Sequence, residues 1–273
     1  LFSALAGILG AVWLLSVGSN PGPLSAPRLV VLEPKTSTRG ILDVLVAQGV
    51  VTHETAFLLT LAVSGKWGEL KAGEYEFPAH AAIHDIIDQL AAGRVYQRHL
   101  TIPEGVTLYQ ALHLLDQAEG LTGTVTTIPE EGHLLPETYA YTRGMSRDAM
   151  VSRMTTDMDK FVTRFWAERP AEFPLKDVNQ VLTLASIIER ETGVPDERPK
   201  IASVFFNRLQ TGMRLQSDPT VIYALTKGQG RLDRPLLTKD LTDTQSLYNT
   251  YITAGLPPGP IANPSKASIE AVF

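Results

Sequence analysis

No cysteine occurs in this 273-residue chain. That excludes disulfides, cysteine nucleophiles and thiolate metal sites. Charge is sparse and slightly acidic, with 24 Lys and Arg against 29 Asp and Glu. With no long basic run, the chain lacks the electrostatic footprint of a nucleic-acid binder, and no nucleic-acid partner is expected. Histidine is confined to positions 53, 80, 84, 99, 113 and 133, so whatever the later residues do they do without a nearby imidazole in sequence. His80 and His84 are one helical turn apart, as zinc ligands can be. No Glu lies between them and no third ligand is close, so they read as two surface histidines.

A 44% hydrophobic content supports ordinary cores, and the length suits about two domains. The first charged residue is Arg28. The uncharged run over residues 1–20 is long enough to cross a bilayer. We therefore expect a transmembrane anchor over 1–20 and a Pro/Gly linker over 21–28. A cleaved signal peptide ending near Leu24-Ser25-Ala26 and a buried core helix are the competing readings. A start at Leu1 suggests that residues are missing in front.

Residues 29–98 read as strand, helix, helix, strand, helix: LVVLEP, then amphipathic runs with Ile41, Leu42, Leu45 and Val46 and with Phe57, Leu58 and Leu61, then LKAGEYEFP, then a helix with Ile86, Ile87 and Leu90 inward. The Gly73-Glu74-Tyr75 step resembles the LysM-like segment that precedes the catalytic domain of certain membrane-anchored murein enzymes. That resemblance implies glycan binding, and a plain spacer is the alternative. From residue 99 onward a second unit is expected. Thr107 can cap a helix over Leu108–Leu115, and a long helix spans Ser146–Phe165. Pro136, Glu137, Tyr139 and Tyr141 mix a carboxylate with aromatic faces as sugar sites do, but two tyrosines at i, i+2 suit one face of a strand better.

The stretch Val178–Asn207 opens as an amphipathic helix. Leu184, Ile187, Ile188 and Glu191 fall on one stripe, which puts a carboxylate at the last turn of an apolar face. The negative end of the helix dipole and an apolar surround would both favour the protonated acid there, as a general acid requires. Glu189 would point to solvent. The plainer alternative pairs Glu191 with Arg198 or Arg208. Further on, Gln216 and Asp218 precede a helix with Pro219 in its first turn, where a plain N-cap is the alternative role for Asp218, and Tyr248, Asn249 and Tyr251 precede a Pro/Gly-rich loop.

The segments ASIIERET, ASVFFNRL, GMRLQSDPTVIYAL and YNTYITAGLPPGPIANP, in that order, resemble the endolytic murein transglycosylases of the MltG, or YceG-like, family. The resemblance covers nearly the whole chain. It implies an α+β protein with an N-terminal transmembrane helix, a small LysM-like module at 29–98 and a mixed α+β catalytic domain over 99–273, truncated at its C-terminal side. It makes Glu191 the catalytic acid and matches Gln216, Asp218, Tyr223, Asn249, Tyr251 and Asn263 to substrate-binding positions. It implies peptidoglycan glycan strands as substrate, work near peptidoglycan synthases, a single-pass location in the cytoplasmic membrane with the catalytic domain outside, and neither metal nor cofactor. The chemistry it implies is cleavage of the MurNAc–GlcNAc β-1,4 bond to a 1,6-anhydro end. Two other readings stand beside it: a hydrolase pairing Glu191 with Asp218, and a non-catalytic anchored glycan-binding scaffold.

Overall fold

The computed structural model describes residues 18–242 and 245–273. The expected anchor falls almost wholly outside that range. Among the described residues no helix is long and apolar enough to cross a membrane. The chain is mixed α+β and divides into two units, residues 1–98 with 141–143, and residues 99–140 with 144–273.

The smaller unit has the expected element order: β1 (Arg28–Leu32), α1 (Thr38–Ala47), α2 (Glu54–Val63), β2 (Gly73–Phe77) and α3 (Ile83–Ala92). β1 and β2 pair antiparallel, Arg28 opposite Phe77 and Leu32 opposite Gly73. Their inner faces, with Leu42, Leu45, Phe57, Leu61, Ile86 and Leu90 from the helices, make one apolar core. Ser37 starts α1 by accepting the Gly40 N–H, and Gly93 ends α3 in the left-handed conformation. Alternation in β2 breaks at Glu74, which is buried between Tyr75 and the strand start. Arg98 grips both oxygens of Glu74, at 2.8 and 2.9 Å, and holds its carboxyl below the usual range. A buried carboxylate with no such partner would be costly.

In the larger unit β3 (Arg98–Thr101) pairs with β4 (Thr138–Tyr141). Helix α4 (Leu108–Gln117) opens with a capping box between Thr107 and Gln110. Helix α5 (Arg147–Glu168) buries Met150, Met154, Met158 and Val162, one turn apart each. Helix α6 (Val178–Glu191) is the centre. Every residue from Val181 to Ile188 is buried. It packs against α5, α7 (Arg198–Gln210), α8 (Asp218–Thr226) and α10 (Lys266–Glu270). A short α9 (Thr238–Leu241) lies between α8 and α10 in sequence. Helix α7 begins at Arg198 with Pro199 in its first turn, where a missing N–H breaks no helical bond.

Gly73 has φ +148°, and a Cβ placed there would lie 2.5 Å from Val95 Cγ1. Gly73→Ala should therefore lose about 1–3 kcal/mol of stability, read as an earlier denaturation midpoint of the smaller unit. An unchanged midpoint would show that Val95 can move aside freely.

Candidate active site

The end of α6 delivers two carboxylates in opposite settings, and they are the reverse of what periodicity predicts. The Glu189 side chain is only 6% exposed. One of its oxygens accepts the Ser265 N–H at 2.9 Å, the Ser268 hydroxyl at 2.7 Å and the Ser265 hydroxyl. Its other oxygen lies 3.7 Å from the Arg198 guanidinium. Glu191, the last helical residue, is exposed. The expected apolar surround of Glu191 is therefore absent, and Arg198 pairs with Glu189 instead. The reason is that α6 is buried on all sides through Ile188. A helix with no solvent face gives periodicity no polar side against which to sort its last turn. Position 189 still faces α10, and position 191 lies past the packed turns.

Glu191 Oε2 accepts the Ser217 hydroxyl at 2.9 Å. Ser217 stands at the N-cap of α8, yet its side chain caps nothing and serves Glu191 instead. It is 1% exposed and fixed by its own N–H, which donates to Thr250 Oγ1 at 3.0 Å. Thr220 completes the cluster. Its hydroxyl donates to the Ser217 carbonyl at 2.6 Å and lies 2.8 Å from Thr250 Oγ1. These buried hydroxyls leave Ser217 little rotational freedom.

Of the other residues singled out by sequence, Asp218, Tyr251 and Gln216 lie beside Ser217. The Tyr251 hydroxyl donates to Asp218 Oδ1 at 2.6 Å. That bond first, then burial, then the charges of Asp218 and Glu191, push the phenol up to about 12, so it stays protonated. Gln216 is exposed with φ +52°, a left-handed conformation unusual for a residue with a side chain, and its N–H donates to the Thr250 carbonyl at 3.1 Å. Tyr223 is further along α8, its hydroxyl donating to Glu131 Oε2 at 3.3 Å. It lines a cavity of about 250 Å³ with Thr107, Gln110, Pro219, Ile222 and Arg190, the neighbour of Glu191. Asn249 and Asn263 do not join this group. Asn249 donates to the carbonyls of Asp240 and Leu241 and accepts the Tyr251 N–H. Asn263 accepts the Leu134 N–H and donates to the Val106 carbonyl, both at 3.0 Å. Both are buried and hold loops in place.

Sequence reasoning passed over Ser217, Thr250 and Glu131, and it turned Glu189 to solvent. Ser217 carries a signal, a hydroxyl just ahead of Asp-Pro at a helix start, but that pattern reads as a cap. Among the described residues no group of three or more His, Cys, Asp or Glu side chains is arranged to hold a metal ion.

The YceG-like family model matches residues 30–273. An endolytic murein transglycosylase of Bacillus subtilis is 32% identical, the match covering 87% of this chain and 73% of the relative. Endolytic murein transglycosylases of two Streptococcus pneumoniae strains are 29% identical over 82% of this chain, which spans about half their length, 48%. The crystal structure of a YceG-like protein from Listeria monocytogenes superposes with a TM-score of 0.56 at 30% identity, covering 90% of each chain.

The two carboxylates should separate in stability measurements. Glu189→Ala removes the acceptor of two serine hydroxyls and leaves the Arg198 guanidinium, still bonded to Ser268, without its buried counter-charge, and should cost about 2–4 kcal/mol in chemical denaturation. Glu191→Gln, at an exposed position, should stay within about 0.5 kcal/mol of the parent protein. Equal losses would show that Glu191 also supports the fold.

Proposed function

We infer, from the fact that this chain belongs to the YceG-like family, that it is an endolytic murein transglycosylase, a lyase of peptidoglycan glycan strands. The observation that supports the assignment of its chemistry is the setting of Glu191. One carboxyl stands exposed at the end of a helix buried from Val181 to Ile188, with one oxygen held by Ser217 and the other open to a ligand. Such a group can reach a glycosidic oxygen and return to take a second proton.

The reaction we propose needs one carboxyl. Glu191 gives its proton to the glycosidic oxygen between N-acetylmuramic acid and N-acetylglucosamine, and the bond from C1 to that oxygen breaks. The 6-hydroxyl of the same muramic residue attacks C1 and yields its proton to the Glu191 carboxylate. A 1,6-anhydro ring closes and no water is consumed. An intramolecular hydroxyl replaces the second carboxylate of ordinary glycosidases by proximity. The protein does not supply an apolar surround for Glu191, so exclusion of water falls to the bound glycan. Ser217 orients the carboxyl, and Gln216, Asp218, Tyr223 and Tyr251 contact the sugars. Asn249 and Asn263 keep the flanking loops in register.

A hydrolase using Asp218 as second carboxylate is the rival reading, because Asp218 and Glu191 both act on Tyr251. Asp218 is already engaged by that phenol at 2.6 Å, which suits a binding role better than activation of water. We further propose that 29–98 is a LysM-like glycan-binding module and that 1–20 anchors the chain in the membrane with the catalytic unit outside the cytoplasm. The uncharged run ahead of a Pro/Gly linker supports the anchor.

Glu191→Gln keeps the shape and cannot donate the proton to a leaving oxygen. It should lose about 10²–10⁴-fold in the rate of forming anhydro-terminated fragments from purified sacculi, with the fold intact. Near-parental activity in this variant would remove Glu191 from the chemistry.

A further inference from the structure

Glu131 is a carboxyl that the reaction above does not use, and it is unusually placed. It sits in the loop before Leu134, where Gly132 passes so close to Pro260 that a Cβ would come within 2.4 Å of that ring. Its Oε1 accepts the Leu108 N–H at 2.7 Å, the first N–H of α4, which the capping box of Thr107 and Gln110 leaves open. Its Oε2 accepts the Tyr223 hydroxyl at 3.3 Å. The Tyr223 ring in turn packs on Tyr248, centroids 4.9 Å apart.

We propose that Glu131 is a positioning residue for the transglycosylase reaction, fixing the direction in which the Tyr223 hydroxyl presents itself to the 250 Å³ cavity beside Arg190. The inference rests on the functional reading given above. With Glu131 ionised, both oxygens accept, the Tyr223 proton points at Oε2, and the phenol can offer the cavity only a lone pair. On protonation Oε1 must still accept from Leu108, so the new proton sits on Oε2 and points at the Tyr223 oxygen. The Tyr223 proton then turns away toward the cavity. One proton on Glu131 thus converts an acceptor in the cavity into a donor.

The exchange falls in a useful range. Burial, opposed by the bonds from Leu108, Tyr223 and Gly132, pushes the carboxyl up to about 7. The titratable groups around it are the phenols of Tyr223 and Tyr248, both raised by burial, and Glu130 and His133 of its own loop, which lie 3.9 Å from each other. Helix α4 offers its backbone N–H, where the helix dipole favours a negative charge.

The test is the pH dependence of kcat and KM on glycan strands, measured for the parent protein, Glu131→Gln and Tyr223→Phe on both sides of pH 7. A glutamine places its carbonyl where Oε1 accepts and its NH₂ where Oε2 would carry a proton, so it copies the protonated state. The parent should show an inflection near 7, seated mainly in KM and of about fivefold, the worth of one neutral hydrogen bond. Glu131→Gln should hold the acid-side value at every pH. Tyr223→Phe should lack the inflection as well. Unfolding midpoints give a readout independent of turnover. From about pH 4.5 to 7 the native state keeps a proton that the unfolded chain has released, so the parent loses stability as pH rises through that window, and Glu131→Gln does not. An inflection that survives in either variant overturns the inference alone. So does a Glu131→Gln loss that is the same at every pH and follows a lowered midpoint, which would make Glu131 a cap of α4 and nothing more. A parent protein that forms no anhydro ends overturns the functional reading, and the inference with it.

Discussion

Helix α6 has no face left for solvent over Val181–Ile188, and each loop that frames the candidate site is fastened to it or to its partners. The Ser186 hydroxyl accepts the Ile261 N–H at 3.0 Å and so holds the Pro/Gly-rich loop against the helix. Glu189 gathers the start of α10 through Ser265 and Ser268. Arg190 donates to the Gly105 carbonyl at 3.1 Å and fixes the turn before α4. Glu191 is the next residue, with nothing packed over it. A helix locked by its neighbours on all sides ends in a carboxyl whose position is set and whose outer oxygen is open.

That arrangement divides labour between neighbouring carboxylates. Glu189 spends its acceptor capacity on the protein interior, where three donors and a guanidinium offset its burial. Glu191 keeps one oxygen for a ligand, and a buried hydroxyl cluster aligns the other. Geometry of this kind supplies positioning, which the proposed reaction needs because its nucleophile belongs to the substrate itself. It also accounts for the difference between the flanking residues. Asp218, Tyr251 and Gln216 lie beside Ser217, whose hydroxyl Glu191 accepts, whereas Asn249 and Asn263 are buried and hydrogen-bonded to backbone groups.

Much of the fold was legible because its signals are local. The five elements of the smaller unit follow from short β-prone runs and helical spacing. Thr107 announces α4, and the methionines one turn apart mark α5. Glu191 was singled out twice, by the stripe on α6 and by the resemblance to a family. The stripe argument misjudged its surroundings. It assigned burial to 191 and exposure to 189, because the face of a fully buried helix is decided by α10, some eighty residues away in sequence. Ser217 went unread, because the cap at that helix start falls equally well to Asp218. Glu131 was hidden for the same reason as Glu189: its partners, Leu108 and Tyr223, are distant in sequence, and no pattern within its own loop reveals that they converge.

The central claim is that the bond is broken without water. Purified sacculi digested in water enriched in heavy oxygen, with the released fragments weighed by mass spectrometry, test it most directly. The account predicts 1,6-anhydro ends that carry no heavy oxygen, formed by the parent protein and lost in Glu191→Gln. Reducing ends carrying the heavy isotope would contradict it and return Asp218 to the chemistry as a second carboxylate.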